Sequence, residues 1–149
     1  MKQIFGYCEG ENVAIEGVPD PVFAEKMLGD GFAIVPSGDS GFITAPFDAK
    51  IILVAGTKHA IGFTDADGNE FLIHIGIDTV KLDGEGFEIL IEADADVKKG
   101  DTLAKVDWKF LKSKGLDCSV MLINTDYALT DIKKIDCTIA TCDVLIGEY

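Results

Sequence analysis

Short runs of β-branched and aromatic residues, each stopped by glycine, proline or aspartate, recur along this chain, and no segment sustains the period of a long amphipathic helix. That pattern restricts the fold before anything else does. It predicts strands at 32–35, 42–45, 50–55, 60–64, 70–75, 87–92, 102–106 and 119–124, with a further one around 12–15. Helix is expected only as short turns at 22–28 and 108–114. Val18-Pro19-Asp20-Pro21 is excluded from any central strand, because two prolines remove two ladder donors. The turn Val97-x-x-Gly100-Asp101-x-Leu103 is echoed by Ile139-x-x-Cys142-Asp143-x-Leu145, which hints at two similar halves. The expected architecture is a single all-β domain over 1–149, an antiparallel sandwich or barrel.

One apolar run carries chemistry. Phe71-Leu72-Ile73-His74-Ile75-Gly76-Ile77-Asp78-Thr79-Val80 reads as a buried strand closed by polar residues that face solvent, with His74 at its centre and Gly76 leaving bare backbone near the ring. A lone imidazole in such a strand is more often a hydrogen-bonded core group than a reactive one. The second of the two histidines changes that balance. His59 stands just before the strand at 60–64, and Asp65-Ala66-Asp67-Gly68-Asn69 is a hairpin turn between it and the strand at 70–75. Folding that hairpin brings His59 and His74 to the same end of the sheet.

Composition narrows the classes. A formal charge of −13 leaves nothing to neutralise a phosphate backbone, so nucleic acid is excluded as a partner. No apolar run is long enough to span a bilayer, and the start has no signal-peptide pattern, so a cytoplasmic protein is expected. The four cysteines, Cys8, Cys118, Cys137 and Cys142, include no Cys-x-x-Cys pair and match no zinc module, and free thiols are expected.

Thr57-x-His59-Ala60, then Leu72-Ile73-His74-Ile75-Gly76-Ile77-Asp78-Thr79-Val80, then Gly84-Glu85-Gly86-Phe87 resemble, in that order, the IIA component of the glucose family of the bacterial sugar phosphotransferase system. Val18-Pro19-Asp20-Pro21-Val22-Phe23-Ala24-Glu25-Lys26-Met27-Leu28-Gly29-Asp30-Gly31 resembles the same family, and the matches run from about residue 13 to Asn124. The resemblance implies a β-sandwich of two similar halves and a phosphohistidine relay. His74 would accept a phosphoryl group from the phosphorylated carrier HPr and pass it to a IIB domain of a sugar permease. His59 would donate to the phosphoryl oxygens, with the Thr57 hydroxyl orienting His59 and the backbone carbonyl of Gly76 orienting His74. Asp20 and Asp78 match acidic positions that meet an arginine of the carrier. Phe23, Met27 and Leu28 are candidates for an exposed apolar docking patch, against plain packing. Such a protein is a phosphotransferase component rather than a complete enzyme. It has no cofactor and no resident metal, and it meets the membrane only through the permease. The alternative is a regulatory binding protein that acts on permeases or kinases in its unphosphorylated form.

Three rivals are weaker. Asp65-Ala66-Asp67-Gly68 has its glycine too early for a calcium loop and lacks the closing glutamate. Zinc hydrolysis with His59 and His74 lacks a third ligand at recognisable spacing, although a zinc shared with a partner is left open. The Val-x-x-Gly-Asp-x-Leu turn is also found in lipoyl and biotinyl carriers, but no lysine stands on a hairpin tip here.

Overall fold

The computed structural model describes residues 2–126, 129 and 131–149. The strands are β1 (Gln3–Phe5), β2 (Gly10–Val13), β3 (Gly31–Pro36), β4 (Gly41–Thr44), β5 (Ala49–Val54), β6 (Ala60–Thr64) and β7 (Glu70–Ile75). They continue as β8 (Phe87–Ile89), β9 (Asp96–Val97), β10 (Thr102–Val106), β11 (Val120–Asn124), β12 (Lys133–Lys134), β13 (Ile139–Ala140) and β14 (Leu145–Glu148). Among the described residues two short helices, α1 (Pro21–Ala24) and α2 (Trp108–Ser113), accompany them, with single 3-10 turns at Ile15–Gly17 and Thr79–Leu82.

An eight-stranded sheet runs β13-β2-β3-β11-β7-β6-β5-β9, accompanied by the three-stranded sheets β1-β14-β12 and β4-β10-β8. Every pairing in them is antiparallel. The halves suggested by the echoed turn are visible in this order. β9 and β13, which carry the two copies of the echo, occupy opposite edges of the large sheet, each beside an equivalent partner, β5 or β2. Each then passes through a tight turn into a three-stranded sheet, as β10 or β14.

The main core lies on one face of the large sheet. It is built from the inward residues Ile34, Ile51, Ile61, Phe63, Phe71, Ile73, Ile75, Val120 and Leu122, with Trp108 and Leu111 of α2. A smaller apolar cluster of Ile15, Val18, Phe23, Ala33, Ile77, Met121 and Ile123 forms where the segment 14–28 covers residues of β3 and β11. Period-two alternation puts Met121 and Ile123 in the small cluster and Val120 and Leu122 in the large one.

Some expectations need correction. The apolar run at 71–80 is not one strand. β7 ends at Ile75, Gly76 turns through φ +76°, Asp78 is left-handed at φ 60°, and Thr79 begins a 3-10 turn. Thr79 is buried rather than facing solvent, and its hydroxyl donates to the Ile75 carbonyl at 2.6 Å. The helical turn at 22–28 stops after Ala24, with Lys26 left-handed at φ 58°. β8 ends at Ile89, three residues early, and the first strands lie at Gln3–Phe5 and Gly10–Val13 rather than at 12–15.

Candidate phosphoryl-transfer site

The β6–β7 hairpin fixes the geometry. The Asp65 carboxylate accepts from Asp67 N and Asn69 N, both at 2.9 Å, and from Asn69 Nδ2 at 2.8 Å, while Gly68 supplies φ +85°. This turn sets a register that pairs Thr64 with Glu70 and Ala60 with His74. One residue before β6, the His59 carbonyl accepts from Ile75 N at 2.7 Å, tying the two histidine-bearing segments together by backbone. The imidazole centroids are 5.1 Å apart with the ring planes at 76°. The expected juxtaposition of the two rings is present.

Each ring is held through one nitrogen. His74 Nδ1 lies 2.8 Å from the Gly76 carbonyl oxygen, which can only accept, so Nδ1 carries a proton. In the neutral ring the lone pair is then on Nε2. His59 Nδ1 lies 2.6 Å from Thr57 Oγ1. Gly76 is required at its position for two reasons. Its φ of +76° is unfavourable for a side chain, and a Cβ there would collide with Thr79 Cγ2 and approach the Asp117 carbonyl to 3.2 Å.

His74 is half-buried, and burial pushes its pKa from 6.5 down to about 4. The neighbouring His59 contributes to that fall, while the Gly76 carbonyl and the carboxylates of Asp20 and Asp78 pull the other way. Burial also lowers His59. Both imidazoles are therefore neutral at pH 7. Part of the cover on His74 is Phe23, whose ring centroid is 4.9 Å away at an interplanar angle of 54°.

Phe23 departs from the expectation of an exposed patch. It is 5% exposed and belongs to the smaller apolar cluster, whereas Met27 and Leu28 are 60% and 38% exposed. With a helix of only one turn, helical spacing could not tell the inward side chain from the outward ones. Asp20 has a structural role that the sequence reading missed. Its carboxylate caps α1 by accepting from Val22 N at 2.9 Å, which fixes the turn that presents Phe23 to His74. The proline after it at the first helical position supports this assignment. Asp78 is exposed at the start of the 3-10 turn. Among the described residues no group of three or more His, Cys, Asp or Glu side chains is placed to hold a metal ion.

Residues 2–129 match the model of the phosphoenolpyruvate-dependent sugar phosphotransferase system, EIIA 1. The chain belongs to that family. It is 46% identical over 127 residues to the glucosamine-specific EIICBA component of Bacillus subtilis, covering 85% of this chain and 20% of that one. It is 43% identical over 126 residues to the glucose-specific EIIA component of Staphylococcus epidermidis, covering 83% of this chain and 75% of that one. Glucose permease IIA from Mycoplasma capricolum superposes with a TM-score of 0.87 at 35% identity, over 97% of this chain and 93% of that one. As in that EIIA structure, the fold is mostly β, with few and short helices. A phosphocarrier role in the sugar phosphotransferase system comes with membership in this EIIA family. Among the described residues no helix is long and apolar enough to cross a membrane.

Proposed function

We propose that this EIIA chain accepts a phosphoryl group from phospho-HPr on Nε2 of His74 and passes it to a IIB domain of a sugar permease. The observation that carries this reading is the pair of neutral imidazoles 5.1 Å apart, one of them held by a carbonyl so that its Nε2 lone pair is free to react. In the forward step that lone pair forms the new N–P bond while the donor's bond to phosphorus breaks and its electron pair stays with the donor. His74 Nδ1 keeps its proton throughout and donates it to the Gly76 carbonyl in a hydrogen bond, which stabilises the positive charge the ring gains.

His59 supplies the donor that the transferred group requires. With the Thr57 hydroxyl donating a hydrogen bond to His59 Nδ1, the proton of the neutral His59 ring stands on Nε2 and can hydrogen-bond a phosphoryl oxygen. Asp20 and Asp78, both close enough to act on His74 electrostatically, receive a cationic side chain of the donor during transfer. Once the donor leaves, the same carboxylates face a dianionic phosphohistidine, and the repulsion favours passing the phosphoryl group onward. Met27 and Leu28 furnish apolar contact area at the rim, while Phe23 supports the imidazole from beneath.

The whole of 1–149 acts as one EIIA domain in this reading, located in the cytoplasm. Fused EIICBA relatives support a partnership with IIB and permease units. Incubation with phosphoenolpyruvate and the upstream phosphotransferase proteins should add one acid-labile phosphate, a gain of about 80 Da, to the intact chain and none to the His74→Gln variant. Mass spectrometry reads this directly. Phosphate on the variant, or none on the parent chain, refutes the assignment. The second outcome would leave the regulatory alternative.

A further inference from the structure

Trp108 begins α2 and is 1% exposed, yet its indole N–H has no hydrogen-bond partner among the described residues. No fully buried side-chain nitrogen or oxygen among them lacks a partner, so that nitrogen is not sealed in. It opens on a cavity of about 450 Å³ between the loop before β4 and the turn after β13. Ser37, Ser40, Thr44, Glu9 and the half-exposed ring of Phe42 also line it.

Gly41 carries the second observation. Its φ lies outside the left-handed region, so the backbone does not call for glycine. What a Cβ there would meet first is Trp108 Nε1, at 2.9 Å, followed by the neighbouring ring carbons at 3.8 and 3.9 Å. Glycine at this point in the sequence keeps the indole donor uncovered. A buried donor left open in this way is costly unless something accepts from it.

The remaining lining defines the acceptor's class. The hydroxyls of Ser37 and Thr44 make only long bonds, to the Glu9 and Gly6 carbonyls at 3.4 and 3.5 Å, and keep lone pairs for a donor. Glu9 adds a carboxylate, while no lysine or arginine lines the space. An anion would find no cation and one repelling carboxylate. A metal ion would find one carboxylate and an N–H pointing at it. A molecule whose hydroxyls both donate and accept matches the indole N–H, the Ser37 and Thr44 hydroxyls and Glu9, and its C–H face can lie against Phe42. We propose that this cavity binds a neutral polyhydroxy compound of monosaccharide size, separately from the histidine pair, with which it shares no residue.

Trp108 is the single tryptophan, so its fluorescence reports on the site without interference. Titration of the full chain with D-glucose as the probe should give a saturable change in emission with half-saturation in the millimolar range. D-Glucose 6-phosphate should bind at least ten times more weakly. Gly41→Ala, which covers the indole nitrogen, should weaken glucose binding at least tenfold while leaving phosphoryl acceptance on His74 unchanged. Should that variant not fold, Trp108→Phe keeps the ring and deletes the donor, and ligand-observed NMR should then show loss of glucose binding. A linear or absent response to ~100 mM glucose, equal binding by both variants, or equal or tighter binding of the phosphorylated sugar overturns the proposal.

Discussion

Removing the Phe23 ring should return His74 towards ordinary histidine behaviour. Burial is the largest cause of the fall from 6.5 to about 4, and the Phe23 ring, 4.9 Å from the imidazole, forms part of that cover. At about 1.4 kcal/mol per unit, the fall corresponds to roughly 3 kcal/mol of preference for the neutral ring. Its effect on stability follows from linkage. Above pH 6.5 the group contributes nothing, since it is neutral folded or unfolded. As pH falls from 6.5 to about 4 the unfolded chain takes a proton that the folded chain refuses, and stability declines through that window by up to this amount. Below about 4 both states are protonated and the decline stops.

Phe23→Ala admits water to one side of the ring and should raise the His74 pKa by about one unit. The transition in stability should narrow correspondingly. Truncation of a buried phenylalanine costs ~3–5 kcal/mol, so Phe23→Leu serves as the gentler version of the same test. NMR titration of the imidazole carbon-bound protons suits a protein with two histidines, and His59→Gln assigns the signals. A parent-chain His74 that titrates at 6 or above refutes the burial reasoning, as does an unmoved His74 in both Phe23 variants.

Gly76→Ala must place a Cβ in left-handed backbone against Thr79 Cγ2, and should cost ~2–4 kcal/mol in urea unfolding; a loss below about 0.5 kcal/mol would show that the turn relaxes freely. Asp65→Ala should destabilise the chain by ~3 kcal/mol or more, because it strips partners from Asn69, Lys2 and the Tyr149 hydroxyl together. The turn and its partners hold the Asp65 carboxyl well below the usual range, so its stabilisation is present above pH 3.8 and is lost as pH falls below that; an acid transition unchanged in Asp65→Asn would refute this. Asp78→Asn should slow phosphorylation by phospho-HPr severalfold in rapid-quench assays without altering the unfolding midpoint, and an unchanged rate would remove Asp78 from donor recognition. Thr57→Val should lower the transfer rate ~10-fold or more while leaving the His74 pKa near its parent value, which a combined kinetic and NMR experiment can establish.

How far the sequence disclosed this site depended on whether the deciding interaction was local. The hairpin was legible because Asp65, Gly68 and Asn69 determine their turn within five residues, and a turn of fixed length leaves His59 and His74 no other relative placement. β1, β12, β13 and β14 were not legible, beyond the echoed turn at the last two. They are two to four residues long and owe their pairing to one another and to a distant strand, as where Gln3 meets Glu148 and Ile139 meets Glu11. The same distinction explains Phe23. Its inward orientation depends on Ala33, Met121 and Ile123, which lie far along the chain, and on a cap by Asp20 that stops after one turn. The run at 71–80 misled for a related reason. Thr79 and Asp78 look like a strand end meeting water, but a left-handed step at Gly76 folds Thr79 back under its own carbonyls. That fold presents the Gly76 oxygen to His74, so the break in the strand is itself the device that sets the tautomer of the His74 ring. A continuous strand would have sent the carbonyl into the ladder with β11 and left Nδ1 without a fixed acceptor.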